Sequence, residues 1–154
     1  MARPTAWLVL AGAVVAVLIA GIVAVGMFNG SRTGAEGTTV QARGGHWTNI
    51  TADRLATMLG QKDFTLLNVK TPYSGEIART DLYIPYDQLT ARTAELPADK
   101  TAMVVVYCRT GHESAIAAQT LLDLGYSNID NLDGGMTAWT AGGRQLVTLD
   151  RTGG

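Results

Sequence analysis

Cys108 is the only cysteine among 154 residues, and it stands in the run Cys108-Arg109-Thr110-Gly111-His112-Glu113-Ser114. The thiolate is the nucleophilic form of cysteine, and a helix amino terminus beside a cation favours it. Arg109 supplies the cation. Gly111 permits tight curvature, so Thr110, Ser114 and successive backbone N–H groups can form a cradle for an anionic sulfur or an oxyanion. His112 is placed to orient an acceptor, to donate to an anion, or simply to lie exposed on the loop. Glu113 would oppose an incoming dianion if it faced the cradle, and would be favourable at a helix start if it faced solvent. A free cysteine can also serve as a small buried hydrophobe. With no second cysteine there is no internal disulfide, which leaves a free reactive thiol or an intermolecular bond.

The elements around Cys108 must put it where a nucleophile can act. Four strand-forming residues, Val104 to Tyr107, lead into it, and "ESAIAAQTLLDLG" after it has helical spacing ending at Gly125. Ligands of an open parallel sheet sit beyond the carboxyl ends of the strands, where the next helix aims its free N–H groups. The rest of the chain alternates in the same way. "ITADRLATML" predicts a helix with Thr51 as N-cap and Gly60 as stop signal, and "FTLLNVK" predicts a buried strand. "QLTARTAEL" predicts a short helix closed by Pro97, "SNIDNLDGG" a strand and turn, and "MTAWTAGG" a last helix. Strands separated by helices give an α/β domain, a small parallel sheet flanked by helices.

The stretch "VYCRTGHESAIAAQTLLDLGYSNIDNLDGGMTAWTAGG" resembles the rhodanese homology domain through Cys108, Arg109, Gly111, Ser114, Gly125, Tyr126, Leu132, Gly134, Gly135 and Trp139. The likeness extends back to "LLNVKTPYSGEI". It implies five parallel strands with flanking helices and a catalytic cysteine, Cys108, that carries sulfane sulfur as a persulfide. The implied substrate-binding set is Arg109, Thr110, Gly111, His112, Glu113, Ser114 and Lys70. The chain departs from the family pattern at Asn68 and Lys70, where aspartate and arginine are common, at Glu76 within Gly75-Glu76-Ile77, and at Glu113, where many relatives carry arginine. Lys70 keeps a charge but not the planar fork of arginine. The resemblance implies a sulfurtransferase that moves sulfur from thiosulfate or a related donor to a thiol or other nucleophilic acceptor. The alternative is a noncatalytic persulfide carrier or anion-binding module. Cysteine phosphatases and arsenate reductases need a longer loop with histidine before the cysteine and arginine at its end, and here Tyr107 and Ser114 hold those places.

A net charge of -1 gives no reason to expect nucleic acid. No His and Cys cluster has metal spacing, no glycine-rich phosphate loop is present, and no cofactor is implied. The segment from Ala6 to Phe28 contains no charged residue, and about 20 apolar residues suffice to cross a bilayer core. It predicts a signal anchor, a single transmembrane helix at 6–28. With Arg3 before it, the tail at 1–5 is cytoplasmic and everything after Phe28 extracytoplasmic, periplasmic or on the cell surface. Cleavage near Ala24-Val25-Gly26 is the alternative. Residues 29–45, rich in Gly, Ser and Thr, predict a flexible linker, and 46–154 form the domain.

Overall fold

The computed structural model describes residues 37–151. The expected tail and membrane span at 1–28 lie outside the described residues, among which no helix is long and apolar enough to cross a membrane. In chain order the elements are β1 (Thr38–Ala42), β2 (Gly45–Ile50), α1 (Ala52–Gly60), β3 (Thr65–Asn68), β4 (Glu76–Ile77) and β5 (Leu82–Tyr83). A 3-10 turn at Thr93–Glu95 precedes β6 (Val104–Tyr107), α2 (His112–Asp123), β7 (Ile129–Leu132), α3 (Gly135–Ala141) and β8 (Leu146–Val147).

The main sheet has the order β1-β2-β7-β6-β3-β5. β2, β7, β6, β3 and β5 run parallel to their neighbours, as strands joined through helices should. β1 is antiparallel to β2, with Val40 opposite Trp47 and Ala42 opposite Gly45. The sheet is therefore mixed and not wholly parallel. β1 also falls inside the stretch expected to be linker. Its "TTVQA" buries only Val40 and Ala42 in part, against the cluster that holds Trp47, so two partly apolar positions in five residues gave little period to read. A separate pair of short strands, β4 and β8, runs antiparallel.

β6 explains the two-sided core. Alternate side chains of a strand point to opposite faces. Val104 and Val106 pack with Ala117, Ala118 and Leu121 of α2. Val105 and Tyr107 pack with Leu55 of α1 and with Met136 and Trp139 of α3. Burying a leucine such as Leu121 or Leu55 contributes on the order of 2 kcal/mol. Cys108 follows the alternation and joins the α2 side.

Thr51 caps α1 as expected, its hydroxyl accepting Arg54 N–H at 3.2 Å. Gly60 is the last helical residue. The helix expected at 88–96 is instead a series of turns. Gln88 N–H donates to Pro85 O, Ala91 N–H to Gln88 O and Leu96 N–H to Thr93 O. These are three-residue spacings, Arg92 N–H to Gln88 O alone in the segment spans four, and the segment buries just Leu89 and Leu96, too few to hold a helix against the core.

Candidate active site

β6 ends at Tyr107 and α2 begins at His112, so the Cys108 loop lies at the carboxyl edge of the sheet. Cys108 is a free thiol, 1% exposed. Gly111 N–H donates to Cys108 Sγ at 3.1 Å. That contact requires the loop to curl back on itself, and Gly111 does so with φ 99°, a left-handed conformation that side chains resist. Ser114 is buried and its hydroxyl donates to Gly111 O at 3.2 Å. It therefore braces the loop's own backbone. Arg109, Thr110 and His112 are exposed.

The loop is held from behind by α3. Met136 N–H donates to Cys108 O at 2.9 Å, and Thr137 N–H donates to Arg109 O at 3.0 Å. The Thr137 hydroxyl donates to the same Arg109 oxygen at 3.1 Å. In a trans peptide the N–H points opposite to the C=O, so these bonds turn the N–H groups of Arg109 and Thr110 away from α3. Gly135 makes the approach possible: a Cβ there would stand 2.8 Å from Arg109 C and closer still to Cys108 O. Sequence reasoning named Gly134 and Gly135 as family marks but missed this bracing role. A glycine pair at the cap and first position of a short helix was the available signal.

Lys70 and Glu113 meet. Lys70 Nζ donates to Glu113 Oε1 at 3.1 Å, with the two side chains 15% and 20% exposed. Lys70 Nζ also donates to Thr71 O. Glu113 is thus neither a solvated helix-start acid nor an isolated charge. Lys70 N–H in turn donates to Asn68 Oδ1 at 3.0 Å, while Asn68 Nδ2 donates to Gly75 O at 3.1 Å. A carboxylate could accept but not donate, which accounts for asparagine at this buried position.

Glu76 is 1% exposed and receives both Nη2 (2.7 Å) and Nε (3.1 Å) of Arg151. This bidentate pair, with β4 and β8, ties the carboxyl-terminal segment to the loop after β3. Tyr107, next to the nucleophile, turns to the opposite face. Its hydroxyl accepts Ile77 N–H at 3.0 Å and meets the Thr80 hydroxyl at 2.6 Å. Burial pushes the Tyr107 hydroxyl well above the usual tyrosine range, so the group stays neutral and structural.

A concavity of about 680 Å³ opens beside the segment that follows β3. Its walls include Thr71, Tyr73, Tyr83, Gln88, Arg92 and Arg151, and none of the residues of the Cys108 loop. The Tyr73 and Tyr83 rings meet edge to face at 5.0 Å. Burial raises the Tyr83 hydroxyl above its ordinary value, and the Arg92 charge opposes the rise.

A family model described as Rhodanese-like domain matches residues 51–142. The chain belongs to the rhodanese-like family. This rhodanese-like chain is 36% identical to a protein named Sulfurtransferase from Allochromatium vinosum over 90 residues, 56% of this chain and 80% of that one. It is 30% identical over 95 residues to Thiosulfate sulfurtransferase GlpE from Vibrio cholerae, covering 61% of this chain and 89% of that one. A solved rhodanese-related protein from Thermoplasma volcanium matches with a TM-score of 0.56 at 31% identity, covering 64% of this chain and 96% of that one. The matched span begins at the α1 cap and leaves β1 and β2 outside it.

Proposed function

We propose that this rhodanese-like protein is a sulfurtransferase in which Cys108 carries the transferred sulfur. The observation that carries the reading is the Gly111 N–H donated to Cys108 Sγ at 3.1 Å, inside a loop whose peptides are fixed by α3. The Cys108 thiolate attacks the outer sulfur of a sulfane donor, thiosulfate or a related compound. The donor's S–S bond breaks and a new S–S bond to Cys108 forms. With thiosulfate, the leaving group is sulfite, which takes the electron pair, and the persulfide anion remains on the enzyme. A nucleophilic acceptor, such as a thiolate or cyanide, then attacks the outer persulfide sulfur and returns the Cys108 thiolate. The N–H groups of the loop, with the Arg109 charge, stabilise the anionic sulfur through both steps.

Intact-mass measurement of the full chain after exposure to thiosulfate tests the reading. Gain of one sulfur atom on the wild type, and none on Cys108→Ser, is the expected outcome. A sulfur gained by Cys108→Ser, or by neither chain with any sulfane donor, removes it. The Lys70–Glu113 pair, which weakens the positive field for a dianion, favours the carrier alternative. Loading once without multiple turnovers would select the carrier.

We further infer that residues 6–28 tether the domain to a membrane with the residues after Phe28 outside the cytoplasm. The uncharged length of that segment and Arg3 before it support this topology. Protease added to intact spheroplasts should digest the domain, and full protection would reverse the orientation.

A further inference from the structure

Lys70, which reaches Glu113 of α2, and the two arginines of the concavity wall are each already held by a carboxylate. Lys70 pairs with Glu113 at 3.1 Å. Arg92 on the concavity wall pairs with Glu95 through Nε at 2.6 Å and Nη2 at 2.7 Å. Arg151 on the same wall pairs bidentately with Glu76. Thiosulfate carries two negative charges and needs uncompensated positive charge to repay the loss of its hydration. Arg109, exposed in the Cys108 loop, is in none of the ion pairs among the described residues. The concavity adjoins the Lys70–Glu113 pair through Thr71, which accepts from Lys70 Nζ and lines the wall. Its wall is mainly polar, with Asp81, Glu95 and Asp150 beside Arg92 and Arg151, and Gln88 and the two tyrosine rings add an amide and flat apolar surface for a small polar organic body.

We propose that the Lys70–Glu113 ion pair sets the donor class of this site, disfavouring thiosulfate and favouring an organic persulfide whose body rests against the concavity wall formed by Tyr73 and Tyr83. The inference rests on the sulfurtransferase reading and narrows it. The step balances. The Cys108 thiolate attacks the outer sulfur of R–S–S–H, the S–S bond breaks, R–S⁻ leaves with the electron pair, and Cys108 becomes Cys108–S–S–H. One unit of negative charge stands on each side, and no external oxidant or reductant enters.

The test measures loading of Cys108 by intact mass in the full chain, purified in detergent, with thiosulfate or cysteine persulfide as donor. Each rate is divided by that of the urea-unfolded chain, which removes the donors' intrinsic reactivities. The folded wild type should accelerate cysteine persulfide at least about tenfold more than thiosulfate, the factor that ~1.4 kcal/mol represents. Glu113→Gln should release Lys70 and raise the thiosulfate-to-persulfide ratio by roughly three- to tenfold. Tyr83→Ala should raise the half-saturating concentration of cysteine persulfide more than that of thiosulfate, and folding of each variant is checked by circular dichroism and its urea-unfolding midpoint. Greater acceleration of thiosulfate in the wild type, or a ratio unmoved by Glu113→Gln, overturns this proposal while leaving sulfur transfer intact. Loading by neither donor overturns the sulfurtransferase reading with it.

Discussion

Asn68 donates through Nδ2 to the carbonyl oxygen of Gly75 at 3.1 Å from a position with no solvent exposure. Its Oδ1 accepts Lys70 N–H at 3.0 Å, so one amide joins the end of β3 to the two ends of the following loop. The loop that presents Lys70 is shaped by a group able to do both at once.

Asn68→Asp therefore sets a carboxylate oxygen against the Gly75 carbonyl. It should cost about 1–3 kcal/mol at neutral pH. A protonated carboxyl can still donate, so the folded state holds that proton more tightly than the unfolded chain does. Its stability is then intact below the unfolded value of about 3.9 and is lost as pH rises past it. Urea unfolding of variant and wild type at pH 3.5 and pH 7 measures the difference. Equal losses at both values would mean that the Gly75 bond is not the cause.

Gly135→Ala should damage chemistry and stability together. The added Cβ meets Arg109 C at 2.8 Å, and the residue sits at φ 55°, so a cost of about 1–3 kcal/mol is expected. The loop carbonyls must move away from α3, and Cys108 loading per folded molecule should fall. Gly44→Ala serves as the comparison: it also lies at positive φ, 83°, with nothing near its Cβ. Loading reduced equally in both would remove the bracing role from α3.

Tyr107→Phe strips the partner from Ile77 N–H and Thr80 Oγ1 and should cost about 1–3 kcal/mol. The loading rate per folded molecule should stay within twofold, since the ring faces away from Cys108. The folded hydroxyl titrates above its unfolded value. Its contribution is thus fully present below about pH 10 and declines above it as the unfolded chain gives up its proton first. Wild type should lose more stability than Tyr107→Phe between pH 9 and pH 11. A large fall in loading would instead give Tyr107 a part in the chemistry.

Arg151→Met leaves a carboxylate that is 1% exposed without its guanidinium. Because Arg151 itself is 25% exposed, a loss of about 2 kcal/mol is expected, below that for a fully buried pair. Adding Glu76→Gln should recover at least half of it. Strict additivity of the two losses in denaturant titrations would show that the groups do not stabilise each other.

The strand, loop and helix around Cys108 could be read from sequence because the signals are local. Val104 to Tyr107 form a continuous apolar run, Gly111 marks a tight turn, and Ala117, Ala118, Leu121 and Leu122 recur at helical spacing. The same holds for the Thr51 cap. What was not readable depends on contacts between distant segments. Lys70 and Glu113 lie 43 residues apart, and their pairing follows only once β3 and β6 are side by side. β1 takes its structure from pairing with β2 more than from its own polar sequence. The turns after Pro85 carry helix-forming residues but have too little core beneath them to use that preference, which tertiary context overrides.

The hydrogen bonds from Met136 and Thr137 to the Cys108 and Arg109 carbonyls also impose an order of assembly. A ribosome makes the nucleophile first and its backing some 28 residues later, the separation between Arg109 and Thr137. A chain that lacks α3 has no donors to orient the loop peptides. The loop geometry around Cys108 is thus a property of a chain completed at least through Thr137.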